Sequence, residues 1–265
     1  MVASAHCCHG QMPRKVANME IAKSATILMN SDMGESLGLH SFGNDEALMA
    51  IIDEANVACG FHAGDPGSMD RTVALAQEHG VKVGAHPGLP DLVGFGRREM
   101  KMRPDEVEEI IHYQVGALNS FLKKHDLPLN HIKPHGALYG MLAKDAELTL
   151  AALKVAKVYG VPLMGPQFGE PHHAYGRELG VAIVEELYVD LNYDAEGNLV
   201  IVRRPEHTSP GVAAARVARV MQDGMVAALD GTLFSPRFQS ICVHSDTPNA
   251  VEVATAVRDA LRAAE

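Results

Sequence analysis

The feature that most constrains the fold of this 265-residue chain is a regular alternation of short apolar runs with amphipathic stretches. The alternation begins at Thr26, continues to the C-terminus, and forms seven units of similar length. Parallel strands need a helical crossover between one strand and the next, and this alternation supplies one. An open doubly wound sheet would show the same pattern, but the steady repetition favours a closed or nearly closed barrel. We therefore expect an α/β protein with a parallel (β/α) barrel as a single domain over residues 25–265.

The apolar runs and the helical periodicities give approximate bounds for each element. Strands are predicted at 25–31, 55–60, 81–86, 131–135, 161–165, 181–186 and 240–245. Helices are predicted at 45–55, 66–80, 104–125, 143–159, 170–179, 210–229 and from Thr247 onward. Pro66 stands at the favoured first turn of its helix and Gly80 at its C-cap. Residues 194–198 predict a turn between two short strands.

Composition excludes several classes of function. The chain has 33 acidic and 23 basic residues and a formal net charge of −10, so its surface repels phosphate backbones and no nucleic-acid partner is expected. The longest apolar runs fall well short of 18 residues, so no membrane span or membrane partner is expected. No charged segment followed by an apolar one marks a signal peptide. We therefore expect a cytoplasmic protein.

The first 24 residues are interpreted as a disordered extension. They contain the sequence His-Cys-Cys-His at 6–9, but four consecutive ligands fit one metal ion poorly. The four cysteines, Cys7, Cys8, Cys59 and Cys242, show neither a disulfide framework nor paired zinc-ligand spacing.

Histidines, carboxylates and a lysine cluster where the predicted strands end. A parallel barrel collects these strand ends on one face, where the loops build active sites, so the pattern predicts an enzyme site there. Lys133 lies within an apolar run and needs an anionic partner if it is buried. Taken singly, each residue could instead be structural, as a histidine bonded to backbone, a helix cap or a solvated carboxylate. The residues at these positions are Asp32, Glu35, His62, Asp65, His86, Asp91, Lys133, His135, Glu185, Glu186, His244 and Asp246.

Residues 94–99, Gly-Phe-Gly-Arg-Arg-Glu, form a second candidate feature. Two glycines with the paired Arg97 and Arg98 suit an anion-binding loop, although a solvated basic turn would have the same composition. The chain contains no GxxxxGK[ST] phosphate-binding loop.

Five sequence blocks resemble the LamB/YcsF family. They are NSDMGESLG (30–38), ANVACGFHAGDPGSM (55–69), VGAHPGLPDLVGFGRREM (83–100), IKPHGALY (132–139) and CVHSDTP (242–248). The resemblance implies a (β/α)7-type barrel related to the glycoside hydrolase/deacetylase superfamily. It also implies a role, with two companion subunits, in opening the lactam 5-oxoproline to L-glutamate at the expense of ATP.

The chemistry implied by that resemblance assigns roles to the residues at the strand ends. A phosphorylated amide oxygen needs cationic groups, the attacking water needs a base, and the leaving nitrogen needs an acid. Lys133 with Arg97 or Arg98 fits the first role. The imidazoles of His62, His86 and His135 fit the base and acid, oriented by Asp32, Asp65 or Asp246. Two further catalytic candidates are Glu35 and His244, and Asn56 is a candidate for binding substrate or phosphate.

The sequence also departs from the family pattern. Ser31 stands where the family usually has cysteine, Leu191 where it has arginine, and Ser245 where it has glycine. If the arginine of other family members binds a substrate carboxylate, this member, which has Leu191 there, acts on a different lactam or amide.

Two alternative functions follow from the same residues. One is a metal-dependent deacetylase or amidase, with a divalent metal held by Asp32, His62 and His135, or with His86 replacing one of these histidines. The other is a non-catalytic subunit that presents substrate to its partners.

Overall fold

The computed structural model describes residues 26–40, 43–200 and 207–264, and within them the predicted closed parallel barrel is confirmed. Seven strands form it in the order β1-β11-β6-β5-β4-β3-β2, so the first and last strands pair and close the sheet. β7 pairs with β8 and β9 with β10 as two small antiparallel ribbons. The strands are β1 (Leu28–Met33), β2 (Glu54–Ala58), β3 (Lys82–His86), β4 (Leu129–Ile132), β5 (Leu163–Gly165), β6 (Ile183–Tyr188), β7 (Asn192–Tyr193), β8 (Leu199–Val200), β9 (Val226–Ala227), β10 (Leu233–Phe234) and β11 (Ser240–Cys242).

Helices cover the outside of the barrel and begin and end at the signals present in the sequence. α2 has Pro66 in its first turn, and the Asp65 side chain accepts hydrogen bonds from the N–H groups of Gly67 and Ser68. It ends at Gly80, whose φ of 68° is left-handed. The helices are α1 (Asp45–Met49), α2 (Pro66–His79), α3 (Pro104–Lys124), α4 (Gly136–Lys144), α5 (Ala146–Tyr159), α6 (Glu170–Leu179), α7 (Pro210–Asp223) and α8 (Ala250–Ala264).

Several predicted bounds are wrong. The strands predicted at 25–31, 131–135 and 240–245 are Leu28–Met33, Leu129–Ile132 and Ser240–Cys242. The helix predicted at 45–55 ends at Met49, because the chain must turn and enter β2 at Glu54. The helix predicted at 143–159 begins at Ala146 as α5, capped by Asp145 with its extended backbone, and α4 before it was not predicted. The helix predicted at 210–229 stops at Asp223, before a left-handed Gly224. The sixth strand runs two residues beyond its predicted end at 186, which moves Glu186 from the strand end into the strand.

The apolar core lies between the strands and the helices rather than inside the barrel. Outward-facing strand residues such as Met29, Val57 and Val83 pack in one buried cluster with helix residues such as Ile111 and Leu118. Side chains alternate between the two faces of a strand, so the neighbours of these residues point into the barrel. Those inward residues are buried and mostly polar, and they include Asn30, Asp32, Asn56, His131 and Glu186.

Glycine is required at one position of the barrel wall. A Cβ added to Gly84 of β3 would lie 2.0 Å from Nε2 of His131 and 2.3 Å from two ring carbons. Only a residue without a side chain leaves room there for the imidazole that fills the barrel.

The expectations about residues 1–24, including the His-Cys-Cys-His sequence, lie outside the described part of the chain. Within the described residues, no helix is both long and apolar enough to cross a lipid bilayer.

Candidate functional site

The carboxyl ends of the barrel strands bring most of the predicted residues to one cleft. Asp32 lies in β1, His86 ends β3, and Lys133 and His135 directly follow β4. The cleft has about 660 Å³ of space, part of it open to solvent. Its lining includes Asp32, His86, Arg97, Lys133, His135, Tyr139, Tyr188, Leu191, His244 and Asp246.

Lys133 is the centre of the polar interior and is 1% exposed. Its Nζ lies 3.0 Å from Oδ1 of Asp32, 3.1 Å from Oε1 of Glu186, 3.1 Å from Oδ1 of Asn30 and 3.1 Å from Sγ of Cys242. Burial alone lowers the pKa of the amine, but the attraction of Asp32 and the other acidic neighbours holds it well above the usual value. The lysine is therefore a charged, fully enclosed cation.

Amide side chains extend the hydrogen-bond network of Lys133 inside the barrel. Asn56 Nδ2 donates to Asn30 Oδ1 and to Asp32 Oδ1, both at 2.8 Å. Nε2 of His131 donates to Asn56 Oδ1 at 2.6 Å, and burial with the nearby Lys133 charge lowers the pKa of His131 to about 3. The predicted binding residue Asn56 thus lies inside the barrel, where it fixes the Asp32 carboxylate.

Three histidines and Glu35 form a second group beside Asp32, which we call the histidine cluster (Glu35, His62, His86 and His135). The His62 and His135 rings stack with centroids 3.7 Å apart, and Nε2 of His86 lies 2.9 Å from Nδ1 of His135. Oε1 of Glu35 lies 3.1 Å from Nε2 of His62 and 3.3 Å from Nδ1 of His135. Nε2 of His86 is also 3.3 Å from Oδ2 of Asp32, which joins the cluster to the lysine centre.

Burial determines the protonation of this cluster. It raises the pKa of Glu35, and together with the neighbouring histidines it lowers the pKa of His62 and His135 well below the usual value. For Asp32, burial alone raises the pKa, but His86 and Lys133 outweigh it and hold the pKa well below its usual range. The cleft therefore offers an ionised carboxylate beside uncharged imidazole nitrogens.

Positive groups line the outer part of the cleft. Nδ1 of His244 lies 3.0 Å from Oδ2 of the buried Asp190. Burial alone lowers the pKa of His244, but Asp190 outweighs it and raises the pKa to about 9. Arg97 donates to Asp246 at 2.7 Å, and its guanidinium carbon lies 5.0 Å from the ring centroid of Phe95. Arg97 and His244 are thus two cationic groups of the cleft lining, each paired with a carboxylate.

Five predicted site residues do not line this cleft. Glu35 and His62 are buried in the histidine cluster, Asn56 lies inside the barrel, and Arg98 and Asp65 lie in loops. Arg98 binds both carboxylate oxygens of Asp91, and its side chain is 58% exposed. Asp65 caps α2 and also accepts a hydrogen bond from Gly38 N–H at 2.9 Å. The structure gives both residues a role in shaping loops.

Sequence reasoning missed Asn30 and Tyr188, and it placed Glu186 at a strand end instead of inside the strand. All three residues contact Lys133 or its partners. A period-two pattern could have found them, because Asn30 and Asp32 are alternate residues of β1, and Glu186 and Tyr188 are alternate residues of β6.

The fold and the site together define a closed parallel β/α-barrel protein with a polar cleft at its strand ends. The LamB/YcsF family model matches residues 27–265. The chain belongs to the LamB/YcsF family, as the five sequence blocks predict.

Named relatives cover almost the whole chain. A Thermus thermophilus protein, named as the A subunit of 5-oxoprolinase, is 45% identical over 240 residues, which are 89% of this chain and 96% of that protein. An Emericella nidulans protein named lactam utilization protein lamB is 43% identical over 233 residues, 85% of this chain and 90% of that one. The crystal structure of a lactam utilization protein from Thermus thermophilus superposes with a TM-score of 0.82 at 43% identity, covering 90% of this chain and 97% of that chain.

Proposed function

We propose that this chain is a subunit of an ATP-dependent hydrolase that opens a lactam of the 5-oxoproline type. One observation carries the proposal: a cleft lined by Asp32, His86 and Lys133 lies in a chain that aligns with 96% of a protein named as the A subunit of 5-oxoprolinase. The name of that relative refers to one subunit of an enzyme, so the proposal includes companion chains.

A lactam is a stable amide and must be activated before water can attack it. In the proposed reaction, ATP transfers its terminal phosphoryl group to the amide oxygen and leaves as ADP. Water then adds to the ring carbon, the ring carbon–nitrogen bond breaks as a proton passes to the leaving nitrogen, and an acyl phosphate remains. A second water hydrolyses the acyl phosphate to the carboxylate and phosphate. The products are an amino acid, phosphate and ADP.

The cleft supplies groups for each of these events. The imidazole of His86, whose Nε2 lies 3.3 Å from Oδ2 of the ionised Asp32, suits removal of a proton from water, with Asp32 orienting the ring. Glu35, with its raised pKa, suits donation of a proton to the leaving nitrogen. Arg97 and the protonated His244 suit the negative charge of the phosphoryl group or of a substrate carboxylate.

ATP is proposed to bind together with the companion subunits. The chain carries no GxxxxGK[ST] loop, and the cleft in this chain is formed by residues suited to the lactam end of the reaction.

The lactam itself is proposed to differ from 5-oxoproline. Leu191 lines the cleft at the position where the family usually has arginine. An apolar side chain there favours a lactam with an apolar or uncharged substituent over one with a carboxylate.

The proposal is tested with the purified chain, its companion subunits, ATP and a panel of lactams that includes 5-oxoproline. ADP and the ring-opened amino acid are expected in equal amounts, and only when all subunits are present. Asp32→Asn is expected to lower turnover by about 10²–10⁴-fold. Asp105→Asn, which alters an exposed ion pair with Arg103, is the matched control and is expected to leave turnover unchanged.

Two results would overturn the proposal. One is the absence of ATP consumption with every lactam of the panel. The other is full turnover by Asp32→Asn that folds with wild-type circular dichroism and Tm. Hydrolysis by the isolated chain without ATP would instead indicate a stand-alone amidase.

A further inference from the structure

The ligand atoms of the histidine cluster lie close together. Glu35, His62, His86 and His135 each offer one ligand atom, and these four atoms all lie within 4.8 Å of one another. All four residues are buried, and the three histidines come from different strand ends of the barrel. The convergence therefore depends on the folded barrel and not on one local turn.

Backbone carbonyls fix the ring orientations of two of these histidines. Nδ1 of His86 lies 2.7 Å from the carbonyl oxygen of Lys133, and Nε2 of His135 lies 2.8 Å from the carbonyl oxygen of Phe95. A carbonyl only accepts hydrogen bonds, so each of these nitrogens carries the proton. In the neutral form of each ring, the opposite nitrogen presents a lone pair.

Those two lone pairs face each other. Nε2 of His86 and Nδ1 of His135 are 2.9 Å apart, and the carboxylates of Asp32 and Glu35 lie within 3.3 Å of one or the other. Two acceptors at this distance repel each other unless a positive species lies between or beside them. Either a shared proton or a metal cation satisfies that requirement.

We propose that the histidine cluster binds one divalent transition-metal cation of the zinc type. Three imidazole nitrogens and one carboxylate are a donor set that Zn²⁺ and its neighbours prefer, whereas Mg²⁺ and Ca²⁺ prefer oxygen ligands. A tetrahedral ion with bonds of about 2.1 Å places its ligand atoms about 3.4 Å apart. The separations among the ligand atoms of Glu35, His86 and His135, which are 2.9, 3.3 and 3.9 Å, lie around that value. The His62 ring is stacked parallel on the His135 ring, so it must turn before its nitrogen can point at the same ion.

The surroundings of the cluster also match a metal site. Metal-binding imidazoles usually donate their second N–H to a carbonyl or carboxylate, and His86 and His135 do so. Gly96, at φ 62°, is required beside them, since a Cβ there would lie 2.7 Å from His62 and 2.9 Å from His135. Nδ1 of His62 is buried and has no partner among the described residues, so His62 is the least firmly held ligand.

A cation bound here would supply Lewis-acid chemistry, as metals do when they polarise a carbonyl or lower the pKa of water. The chain's own residues place the ligands next to Asp32 and the cleft. Metal binding does not depend on which lactam is the substrate. Glu35 cannot be both a metal ligand and the proton donor of the proposed reaction, so metal binding through Glu35 would exclude that donor role and leave the rest of the proposed function in place.

The test is metal binding by the full-length, tag-free chain. The stretch at 6–9 offers ligands of its own, so every protein carries His6→Ala, Cys7→Ser, Cys8→Ser and His9→Ala. After chelator treatment and dialysis, Zn²⁺ is expected to bind at one ion per chain, and Co²⁺ to give visible d–d absorption bands. At about a hundred times Kd, the metal is expected to raise Tm by roughly 5–10 °C.

Ligand variants locate the site. His86→Gln, His135→Gln and Glu35→Gln are each expected to abolish both the Co²⁺ bands and the Tm rise, and His62→Gln to weaken them. His125→Gln is the matched control, because His125 pairs with Asp70 at the end of α3 outside the cluster. The control is expected to bind metal as the parent does.

The proposal is overturned if the parent binds no Zn²⁺, Co²⁺ or Mn²⁺ and its Tm does not change with any of them. In that case the two facing nitrogens share a proton. Metal binding that survives all four cluster substitutions would also overturn it, because the ion would then lie elsewhere. Measurements on the parent chain keep the test decisive even if a variant fails to fold.

Discussion

Lys133→Met tests whether the buried lysine is the charge that stabilises the barrel interior. The substitution keeps the length and apolar stem of the side chain but removes the cation, and it leaves Asp32 and Glu186 as buried carboxylates without their ion-pair partner. Removing one partner of a buried ion pair costs about 3–5 kcal/mol, because the other charge is left uncompensated. That is a large fraction of the roughly 5–15 kcal/mol that stabilises a typical protein.

Urea denaturation at neutral pH measures this loss as a fall in the transition midpoint with an unchanged m-value. Adding Glu186→Gln to Lys133→Met removes one of the two carboxylate charges that lost their ion-pair partner. The double variant is therefore expected to recover roughly 1–3 kcal/mol relative to the sum of the two single changes. Lys124→Met is the control, since Lys124 pairs with Asp70 at the surface, where an ion pair contributes about 0–1 kcal/mol.

The reasoning would be refuted by a Lys133→Met protein within about 1 kcal/mol of wild type. Strict additivity in the double variant would also refute it, because the two charges would then not interact.

Three further predictions concern the barrel wall and the cleft. Gly84→Ala is expected to destabilise by roughly 2–6 kcal/mol, from overpacking and lost hydrogen bonds of the displaced imidazole. Gly140→Ala in α4 is the control, because an added Cβ there meets nothing within 4 Å, and it is expected to raise the free energy of unfolding by up to about 1 kcal/mol. Equal urea midpoints for Gly84→Ala and Gly140→Ala would contradict this prediction. His244 has a folded pKa raised from 6.5 to about 9, so its stabilisation is complete below pH 6.5 and is lost as the pH rises through about 9. Urea midpoints of His244→Asn and wild type should therefore differ most at low pH and converge above 9, and a constant difference would contradict the assignment. Leu191→Arg is expected to raise kcat/KM for 5-oxoproline relative to an uncharged lactam by roughly tenfold, and an unchanged ratio would exclude Leu191 from the substrate contact.

The sequence was sufficient to predict the barrel because each βα unit carries its own signals. Pro66 and Gly80 fix the ends of α2 through local backbone geometry. Helix ends without such residues were placed poorly. The apolar residues after Met49 continue a helical pattern, yet the chain leaves the helix there because β2 must start at Glu54. The residues after Met49 are compatible with either a longer helix or a turn, and only the tertiary fold selects the turn.

The candidate site was predictable only to the level of which residues gather at the strand ends. That Asp32, His86 and Lys133 share a cleft follows from parallel topology. Their individual partners depend on strand register and barrel closure, which a single sequence does not encode locally. The contact of Lys133 with Glu186 joins β6 to the end of β4, and the pairing of β1 with β11 joins opposite ends of the chain.

The polar filling of the barrel has a consequence for how the strands find their alignment. In a barrel filled with aliphatic side chains, a strand that slips by two residues still presents apolar groups inward. The misaligned state therefore loses little stability relative to the native one. Here a two-residue slip of β1 against β2 would separate Asn56 from its acceptors on Asn30 and Asp32. Each misalignment thus leaves buried donors or acceptors without hydrogen-bond partners, which costs about 1–3 kcal/mol of stability for each group. The same side chains that form the candidate site therefore discriminate between the native strand alignment and its nearest competitors.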